Sequence, residues 1–303
     1  MKLGLLSAIL PEMNFRQVVN YCKKVGFEAI EVACWPSEGV ARRYAGVTHL
    51  HIGEWSVQKL KEELDYARKQ TIDISAFAYY PNPLSADEKE SRRAIDHIML
   101  LIETAAETGV GQVNTFIGKD KNKTTEENLL LFKEIWTPIL RFAETKKVKI
   151  AIENCPMYFS KDEWPGGNNL AHSPTIWREM FHMIDSPYFG LNYDPSHQVI
   201  QGMDYLKPIY EFRDKIFHIH FKDVHIMQDQ LDSCGRFAYP LEYMSPKIPG
   251  LGDIDWSAFC RALYDIGYED YACVEIEDKN FESTPEHVKH GIDIAYKNIR
   301  NYI

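Results

Sequence analysis

The segment Ala151–Asn154 (AIEN) opens the part of the sequence that decides the fold, because an apolar run of strand length ends there in an acidic side chain. Three later segments repeat this design: 192–197 (NYDPSH), 218–223 (HIHFKD) and 274–278 (VEIED). Enough chain for a helix separates each segment from the next. Strands that end around one ring could direct four distant side chains at a single divalent ion. The candidates are three carboxylates and one imidazole, those of Glu153, Asp194, His220 and Glu275.

The rest of the chain shows the same alternation of strand and helix. Amphipathic patterns with the spacing of a helix lie between short apolar runs. Several of these runs are continuously apolar, which is typical of parallel strands buried on both faces. We predict a single-domain (β/α)₈ TIM barrel over residues 1–303, with the four candidates on its fifth to eighth strands. The eight strands are expected at 3–9, 29–33, 72–78, 112–117, 148–153, 189–193, 216–221 and 272–276.

A doubly wound α/β sheet is the main alternative to the barrel. Its usual phosphate-binding fingerprint, GxGxxG between a strand and a helix, is absent from the sequence. The pair Gly250 and Gly252 falls in a predicted loop and opens no such motif. The length of 303 residues also suits one barrel, which commonly needs about 250 residues.

Composition limits the classes of partner. The formal net charge of −10 disfavours nucleic acid and anionic membranes, although an acidic protein can still carry a basic groove. No apolar stretch approaches the roughly 20 residues that span a bilayer. The first residues are typical of a strand and loop rather than a signal peptide. The six cysteines are scattered without a CxxC pair, so we expect reduced thiols and a cytoplasmic location.

The four strand-end candidates form a ligand set that suits Mn²⁺, Mg²⁺, Co²⁺ or Zn²⁺. Taken singly, each has an alternative explanation, since a buried acid can pair with a cationic side chain and a buried histidine can be a satisfied core residue. These alternative explanations are less convincing for the four residues together. Four buried acids or imidazoles that converge without a cation would carry a large desolvation cost.

The same segments, with Pro249–Trp256 (PGLGDIDW), resemble the xylose-isomerase-like TIM barrels over nearly the whole chain. That superfamily contains sugar isomerases and epimerases, inosose dehydratases and apurinic endonucleases. The resemblance implies a place in carbohydrate metabolism and a single divalent metal ion. It carries the substrate-binding histidine of the epimerase branch onto His197. It carries the metal ligands of that branch onto Glu153, Asp194, His220 and Glu275.

The resemblance also implies a mechanism, which the residues permit. A divalent ion on two adjacent oxygens of a hydroxy-ketone would acidify the neighbouring C–H. The carboxylates of Glu153 and Glu275 would then move the proton through an enediolate. His197 and Lys222 would bind the substrate oxygens and stabilise developing negative charge. For Lys222, a supporting role outside the substrate contacts is an equal alternative.

The first half of the chain is expected to complete a sugar-sized pocket. Trp35, Tyr80 and Asn114 follow or lie on the second to fourth strands, where they could contact the substrate or only pack at the rim. We expect His49 and His51 to lie in a solvated loop rather than to bind metal.

The connection after the seventh strand, residues 224–254, is much longer than usual. It could act as a lid or as a subunit contact in a homo-oligomer, and Arg236 is its candidate substrate ligand. A longer lid could accept a larger ligand, such as a glycoside, a keto-glycoside or a cyclitol.

Several functions fit these features. The first is a metal-dependent isomerase or epimerase of a ketose or related sugar, and the second is a lyase or dehydratase on a keto-sugar, keto-glycoside or inosose. Apurinic endonuclease activity is disfavoured, because that branch has a histidine where this chain has Asn114 on strand four. A non-catalytic sugar-binding barrel is disfavoured because all four ligand types are retained.

Overall fold

The computed structural model describes residues 1–37, 45–157 and 167–303. Eight parallel strands close into a barrel in the order β1-β10-β7-β6-β5-β4-β3-β2, so strands from the two ends of the chain pair with each other. The doubly wound alternative is thereby excluded. The barrel strands are β1 (Lys2–Leu6), β2 (Ala29–Ala33), β3 (Asp73–Ala78), β4 (Gln112–Thr115), β5 (Lys149–Glu153), β6 (Phe189–Tyr193), β7 (Ile216–Phe221) and β10 (Tyr271–Val274).

Helices between consecutive strands cover the outside of the barrel, and their apolar faces bury residues such as Trp136 and Trp177. Helix α4 continues through Pro138. The larger helices are α1 (Phe15–Val25), α2 (Val57–Lys69), α3 (Glu88–Thr108), α4 (Thr125–Lys146), α5 (Pro174–Met183), α9 (Trp256–Asp265) and α10 (Pro285–Arg300). Shorter ones are α6 (Ser196–Gln201), α7 (Lys207–Glu211) and α8 (Gln228–Cys234).

The strand register brings the predicted ligands to one level. Glu153 on β5 is paired with Asn192 on β6, and Asn192 is paired with His218 on β7. Asp194 and His220 each follow two residues later, and His220 pairs with Cys273 on β10. Because the strands are parallel, all four ligands meet at the carboxyl end of the barrel, where TIM barrels carry their chemistry.

Some predicted boundaries were wrong by a few residues. β1 ends at Leu6, because residues Ser7–Ile9 turn into a 3₁₀ helix. β4 ends at Thr115 and β10 at Val274, both earlier than the apolar runs suggested. The apolar runs continue into loops that are buried at the barrel mouth. The last apolar residues of each run therefore lie beyond the end of the strand.

The expectation for His49 was also wrong. Its side chain is 3% exposed. One ring nitrogen lies 2.9 Å from Ser7 Oγ and the other 3.2 Å from the carbonyl oxygen of Leu10. Burial lowers the pKa of His49, so the neutral ring serves as a structural link between β1 and the loop after β2. Its neighbour His51 is partly exposed and lies 3.5 Å from Glu54.

The long connection after β7 has secondary structure of its own, which the sequence had indicated only as a loop. Strands β8 (Asp223–Ile226) and β9 (Met244–Lys247) form an antiparallel hairpin that is closed by α8 and a 3₁₀ helix at Pro240–Glu242. We call residues 223–254 the insertion. A small apolar cluster holds it against α6, formed by Ile200, Val224, Leu231, Tyr243 and Met244.

The carboxylate of Asp223 anchors both ends of the insertion. Its oxygens accept hydrogen bonds from the backbone N–H of Val224 at 2.9 Å, of Gly250 at 2.9 Å and of Gly252 at 3.2 Å. The indole of Trp256 donates to it at 2.8 Å. A Cβ atom on Gly252 would lie 2.2 Å from Asp223 Oδ1, so this close approach requires glycine.

Within the described ranges, every helix is too short or too polar to cross a lipid bilayer.

Candidate metal centre

The structure brings the four strand-end residues together. One ligand atom each from Glu153, Asp194, His220 and Glu275 lies within 4.8 Å of all the others. We call these four residues the quartet. Asp194 and His220 are fully buried, Glu153 is 3% exposed and Glu275 is partly exposed toward a cavity. Three of the four therefore lie where water cannot hydrate their charges.

The polar atoms inside the quartet are short of hydrogen-bond donors. Asp194 Oδ2, His220 Nδ1 and Glu275 Oε2 are buried and have no hydrogen-bond partner. His220 Nδ1 and Glu275 Oε2 are 2.9 Å apart, yet their geometry is not that of a hydrogen bond. Buried atoms of this kind carry a large desolvation cost unless a cation faces them. The residues therefore fit a bound divalent ion, and their mixture of oxygen and nitrogen atoms suits a hard or borderline metal.

The outer edge of the His220 ring is held by an acid that the sequence did not reveal as part of the site. His220 Nε2 donates to Glu31 Oε2 at 2.8 Å, and the hydroxyl of Tyr80 donates to the other oxygen of Glu31. Because Nε2 is engaged, Nδ1 is left to face the quartet, as in carboxylate–histidine–metal arrangements. The available signal was a single acid in the otherwise apolar run of β2, AIEVA.

The electrostatics of the quartet favour positive charge. Burial alone would lower the pKa of His220, but the carboxylates of Glu31 and Glu275 outweigh it and raise that pKa well above its ordinary value. Burial alone would raise the pKa of Glu31, and His220 with His218 instead holds it below the usual range. The same negative field that attracts a proton to His220 would attract a divalent cation.

His197 lies beside the quartet. Its Nε2 is 3.2 Å from Glu153 Oε1 and 3.2 Å from Asp194 Oδ2. Burial would lower the pKa of His197, but neighbouring Cys155 and Asp194 raise it well above the ordinary value. The ring is thus hydrogen-bonded to Glu153 and lies close to Asp194 without a hydrogen bond to its Oδ2.

Lys222 is the buried cation of the site. Its Nζ lies 3.0 Å from Glu275 Oε1 and 3.0 Å from Glu277 Oε2. Burial would lower the pKa of Lys222, and these two carboxylates instead raise it well above its ordinary value. The ammonium group is therefore fixed and charged next to the quartet.

A cavity of about 340 Å³ opens above the quartet. Trp35 and Tyr80 line it, together with Glu153, His197, Lys222 and Glu275. Two of the predicted substrate ligands lie elsewhere. Asn114 is fully buried below the lining and accepts a hydrogen bond from Gln112, whereas Arg236 is exposed and donates to the carbonyl oxygen of Ile200 at 3.1 Å.

A family model described as the xylose isomerase-like TIM barrel matches residues 19–298. The chain therefore belongs to the xylose isomerase-like TIM barrel family. It is 25% identical to the uncharacterized protein YfiH of Bacillus subtilis (strain 168), over 92% of this chain and 93% of that protein. A shorter match, at 30% identity over 105 residues, is to an inosose dehydratase of Lacticaseibacillus casei and spans 34% of this chain and 35% of the relative.

Solved structures share the same architecture. The IOLI protein with a bound zinc atom has a TM-score of 0.74 at 21% identity, over 100% of this chain and 99% of its own. A D-psicose 3-epimerase of Clostridium cellulolyticum H10, solved with D-tagatose, has a TM-score of 0.74 at 17% identity, over 100% and 99%. At these identities the likeness shows the common fold alone.

Proposed function

We propose that this protein is a divalent-metal-dependent sugar isomerase or epimerase. It would remove a proton from the carbon next to the carbonyl of a ketose or related polyhydroxy compound. The observation that carries the proposal is the buried quartet, because its unpartnered Asp194 Oδ2, His220 Nδ1 and Glu275 Oε2 converge on one point.

The quartet would hold a single divalent ion, and Mn²⁺, Mg²⁺, Co²⁺ and Zn²⁺ all suit its atoms. Such an ion supplies Lewis acidity that polarises a substrate carbonyl and acidifies the adjacent C–H. The zinc atom in the structurally similar IOLI protein supports this assignment. Glu31 would keep the His220 ring oriented through the hydrogen bond to Nε2.

Glu153 and Glu275 are the proposed proton carriers. Around the barrel, β6 and β7 separate β5 from β10, so the two carboxylates reach the cavity from different sides. One carboxylate would accept the proton from the C–H bond, whose electrons move into an enediolate. The other would deliver a proton to the opposite face, which inverts the carbon. Delivery to the neighbouring carbon would move the carbonyl instead.

His197 and Lys222 are proposed to bind the substrate oxygens. Both line the cavity, and the pKa of each is raised well above its ordinary value despite burial, by Cys155 and Asp194 at His197 and by Glu275 and Glu277 at Lys222. A fixed positive charge stabilises an oxygen that becomes negative during the reaction. Trp35 and Tyr80 would form part of the cavity wall against the substrate.

A dehydratase is the second candidate, and the inosose dehydratase of Lacticaseibacillus casei among the relatives favours it. The first step would be the same proton abstraction. The electron pair would then form a carbon–carbon double bond while the β-hydroxyl leaves, taking a proton from Lys222 or His197 to depart as water. Both reactions use the same residues, so the products separate them.

Hydrogen exchange in D₂O tests the proposal. Metal-loaded protein is incubated with ketoses, inososes and keto-glycosides, and NMR follows loss of the C–H signal next to the carbonyl. Glu275→Gln should slow the exchange by about a hundredfold or more, because a positioned acid–base group contributes at least that much. Glu107→Gln, which changes an exposed glutamate of α3, is the matched control.

The metal is measured independently of the reaction. Purified wild-type protein should retain about one divalent ion per chain by elemental analysis. A chelator should remove both the ion and the exchange. Exchange at the wild-type rate in Glu275→Gln, with the ion retained, would show that Glu275 carries no proton. Inverted or rearranged products identify an isomerase or epimerase, and unsaturated products identify a dehydratase.

A further inference from the structure

The mouth of the barrel is chemically divided. The carboxyl ends of β5, β6, β7 and β10 carry the quartet, and we call them the ligand half. The ends of β1 to β4 form the other side, which we call the apolar half. The cavity-lining residues at or just beyond those strand ends are Leu6, Ala8, Ala33, Trp35, Ala78, Tyr80 and Phe116.

The apolar half has little to offer a hydroxyl group. Among the described residues that line the cavity there, none is Lys, Arg, Asp or Glu. Its one phenol, on Tyr80, already donates to Glu31 and accepts from Asn192 Nδ2 at 3.0 Å. Against these described residues a polyhydroxylated ring would find few hydrogen-bonding groups, such as the indole N–H of Trp35, so most of its hydroxyls would lose water without gaining a hydrogen bond.

The apolar half carries two aromatic rings in contact. The centroids of Tyr80 and Phe116 are 4.9 Å apart, and the planes of the two rings are tilted by 50°. Tyr80 also contacts His220, with centroids 6.3 Å apart, so the aromatic wall begins at the quartet and extends away from it. The small side chains of Ala8, Ala33 and Ala78, against which Tyr80 packs, also line the cavity and occupy little of its volume.

The insertion contributes a further apolar wall. Leu241, Met244 and Pro246 line the cavity from the hairpin side, and Leu241 remains 41% exposed at the rim. The cavity volume of about 340 Å³ lies within the range of roughly 300–1,000 Å³ for pockets that bury drug-sized ligands. These residues therefore add apolar surface to the same cavity that His197 and Lys222 line.

We propose that the apolar half is a binding subsite for a planar apolar substituent, an aromatic ring, on the polyhydroxy substrate. This inference rests on the proposed function for the placement of the sugar part at the quartet. The substrate class is then a glycoside-like compound with an aromatic group rather than a free or phosphorylated sugar.

Affinity is measured with ligands that cannot react. Phenyl β-glucoside, methyl β-glucoside and the phosphate ester of methyl β-glucoside have no carbonyl, so calorimetry on the metal-loaded protein reports binding alone. The phenyl compound should bind about tenfold more tightly than the methyl compound, because the subsite removes the ring from water. Equal affinities for the phenyl and methyl compounds would overturn the proposal, and so would tightest binding of the phosphate ester.

Two variants locate the subsite. Ala78→Leu fills the space beside Ala33, and Leu241→Asp places a charge at the rim. Each should abolish the preference for the phenyl compound. Leu130→Asp, which changes a leucine of α4 that is 65% exposed, is the matched control and should retain the preference. If Ala78→Leu fails to fold, the affinities of Leu241→Asp alone test the subsite. A phenyl preference unchanged in Leu241→Asp would overturn the proposal.

The exchange experiment keeps the two proposals separate. It uses the phenyl and methyl keto-glucosides with the wild-type protein. A phenyl preference in binding without exchange in either ketone would support the subsite and contradict the proposed function. Exchange at equal efficiency with both ketones, together with equal binding, would support the function and contradict the subsite.

Discussion

The histidines of the two halves of the barrel mouth have opposite environments. On the side of the apolar half, His49 and, on α3, His97 contact backbone carbonyl oxygens, and burial lowers the pKa of each. In the ligand half, His197 and His220 are buried too, but neighbouring thiol and carboxylate groups raise the pKa of each well above its ordinary value. Burial is common to all four rings. Charged neighbours outweigh burial at His197 and His220, whereas burial prevails at His218 on β7 and lowers its pKa to about 4. The immediate neighbours of each ring therefore decide whether it attracts positive charge.

The largest effect is expected when a carboxylate of the ligand half is neutralised, because this removes negative charge that would hold the cation. Asp194→Asn puts an amide where Asp194 Oδ2 is buried without a partner. Elemental analysis should find the bound ion reduced from about one per chain to almost none. Exchange in D₂O should fall about a thousandfold, because a Lewis acid contributes several kcal/mol. Asp214→Asn, at an exposed site, should retain both. Full metal content in Asp194→Asn would remove Asp194 from the ligand set.

A smaller effect is expected when only the support of His220 changes. Glu31→Gln removes the negative charge that faces Nε2 and leaves the quartet itself intact. Metal affinity should fall about 10- to 100-fold, the usual effect of losing such a partner. Competition with a chromophoric chelator measures it, with Glu107→Gln as the control. Unchanged affinity would show that the negative charge of Glu31 is not needed to orient the ring.

The apolar half predicts a pH dependence of stability. The folded-state pKa of His49 and of His97 lies below the unfolded value of about 6.5. The unfolded chain therefore binds more protons once the pH falls below that value. The free energy of unfolding should drop as the pH falls from about 6.5 toward the folded-state pKa.

Urea unfolding at several pH values measures this slope. His97→Gln should reduce the slope between neutral and mildly acidic pH, because one buried neutral ring is gone. His290→Gln, which changes an exposed ring on α10, should leave it as in the wild type. An equal slope in all three proteins would show that these rings do not titrate differently in the two states.

The smallest effect is expected at Arg236, which the sequence placed among the substrate ligands. The structure places it on the exposed surface of the insertion, bonded to the carbonyl oxygen of Ile200. Arg236→Ala should change stability by no more than about 0.5 kcal/mol. Its affinity for phenyl β-glucoside should stay within about twofold of the wild type. A loss of tenfold or more would mean that Arg236 reaches the ligand.

The sequence was sufficient for the ring of strands and for the quartet, because each quartet residue directly ends or follows an apolar run. That local signal needs no knowledge of distant neighbours. Glu31 gave a weaker signal, since its partner His220 lies 189 residues away. A single acid in an apolar strand looks the same whether it pairs with a cation or supports a ligand.

The environment of His49 and the structure of the insertion could not be predicted from neighbouring residues in the sequence. The stretch THLHIGEW has no periodicity, and the burial of His49 depends on Ser7, which is 42 residues earlier. The insertion is built from elements of three to seven residues, too short for a periodic pattern to be recognised. Its side chains face the cavity or the solvent according to the hairpin, so Leu241 and Arg236 could not be assigned from composition.

The anchoring of the insertion at Asp223 has a consequence for how such barrels diversify. The chain departs from β7 at this residue and returns beside it, because its carboxylate also binds the N–H groups of Gly250 and Gly252. The excursion therefore begins and ends at one fixed point. A change in its length or composition between these two points would leave the ends of the barrel strands in place. The insertion is therefore a module that could be exchanged, for example by grafting, while the barrel and the quartet keep their arrangement.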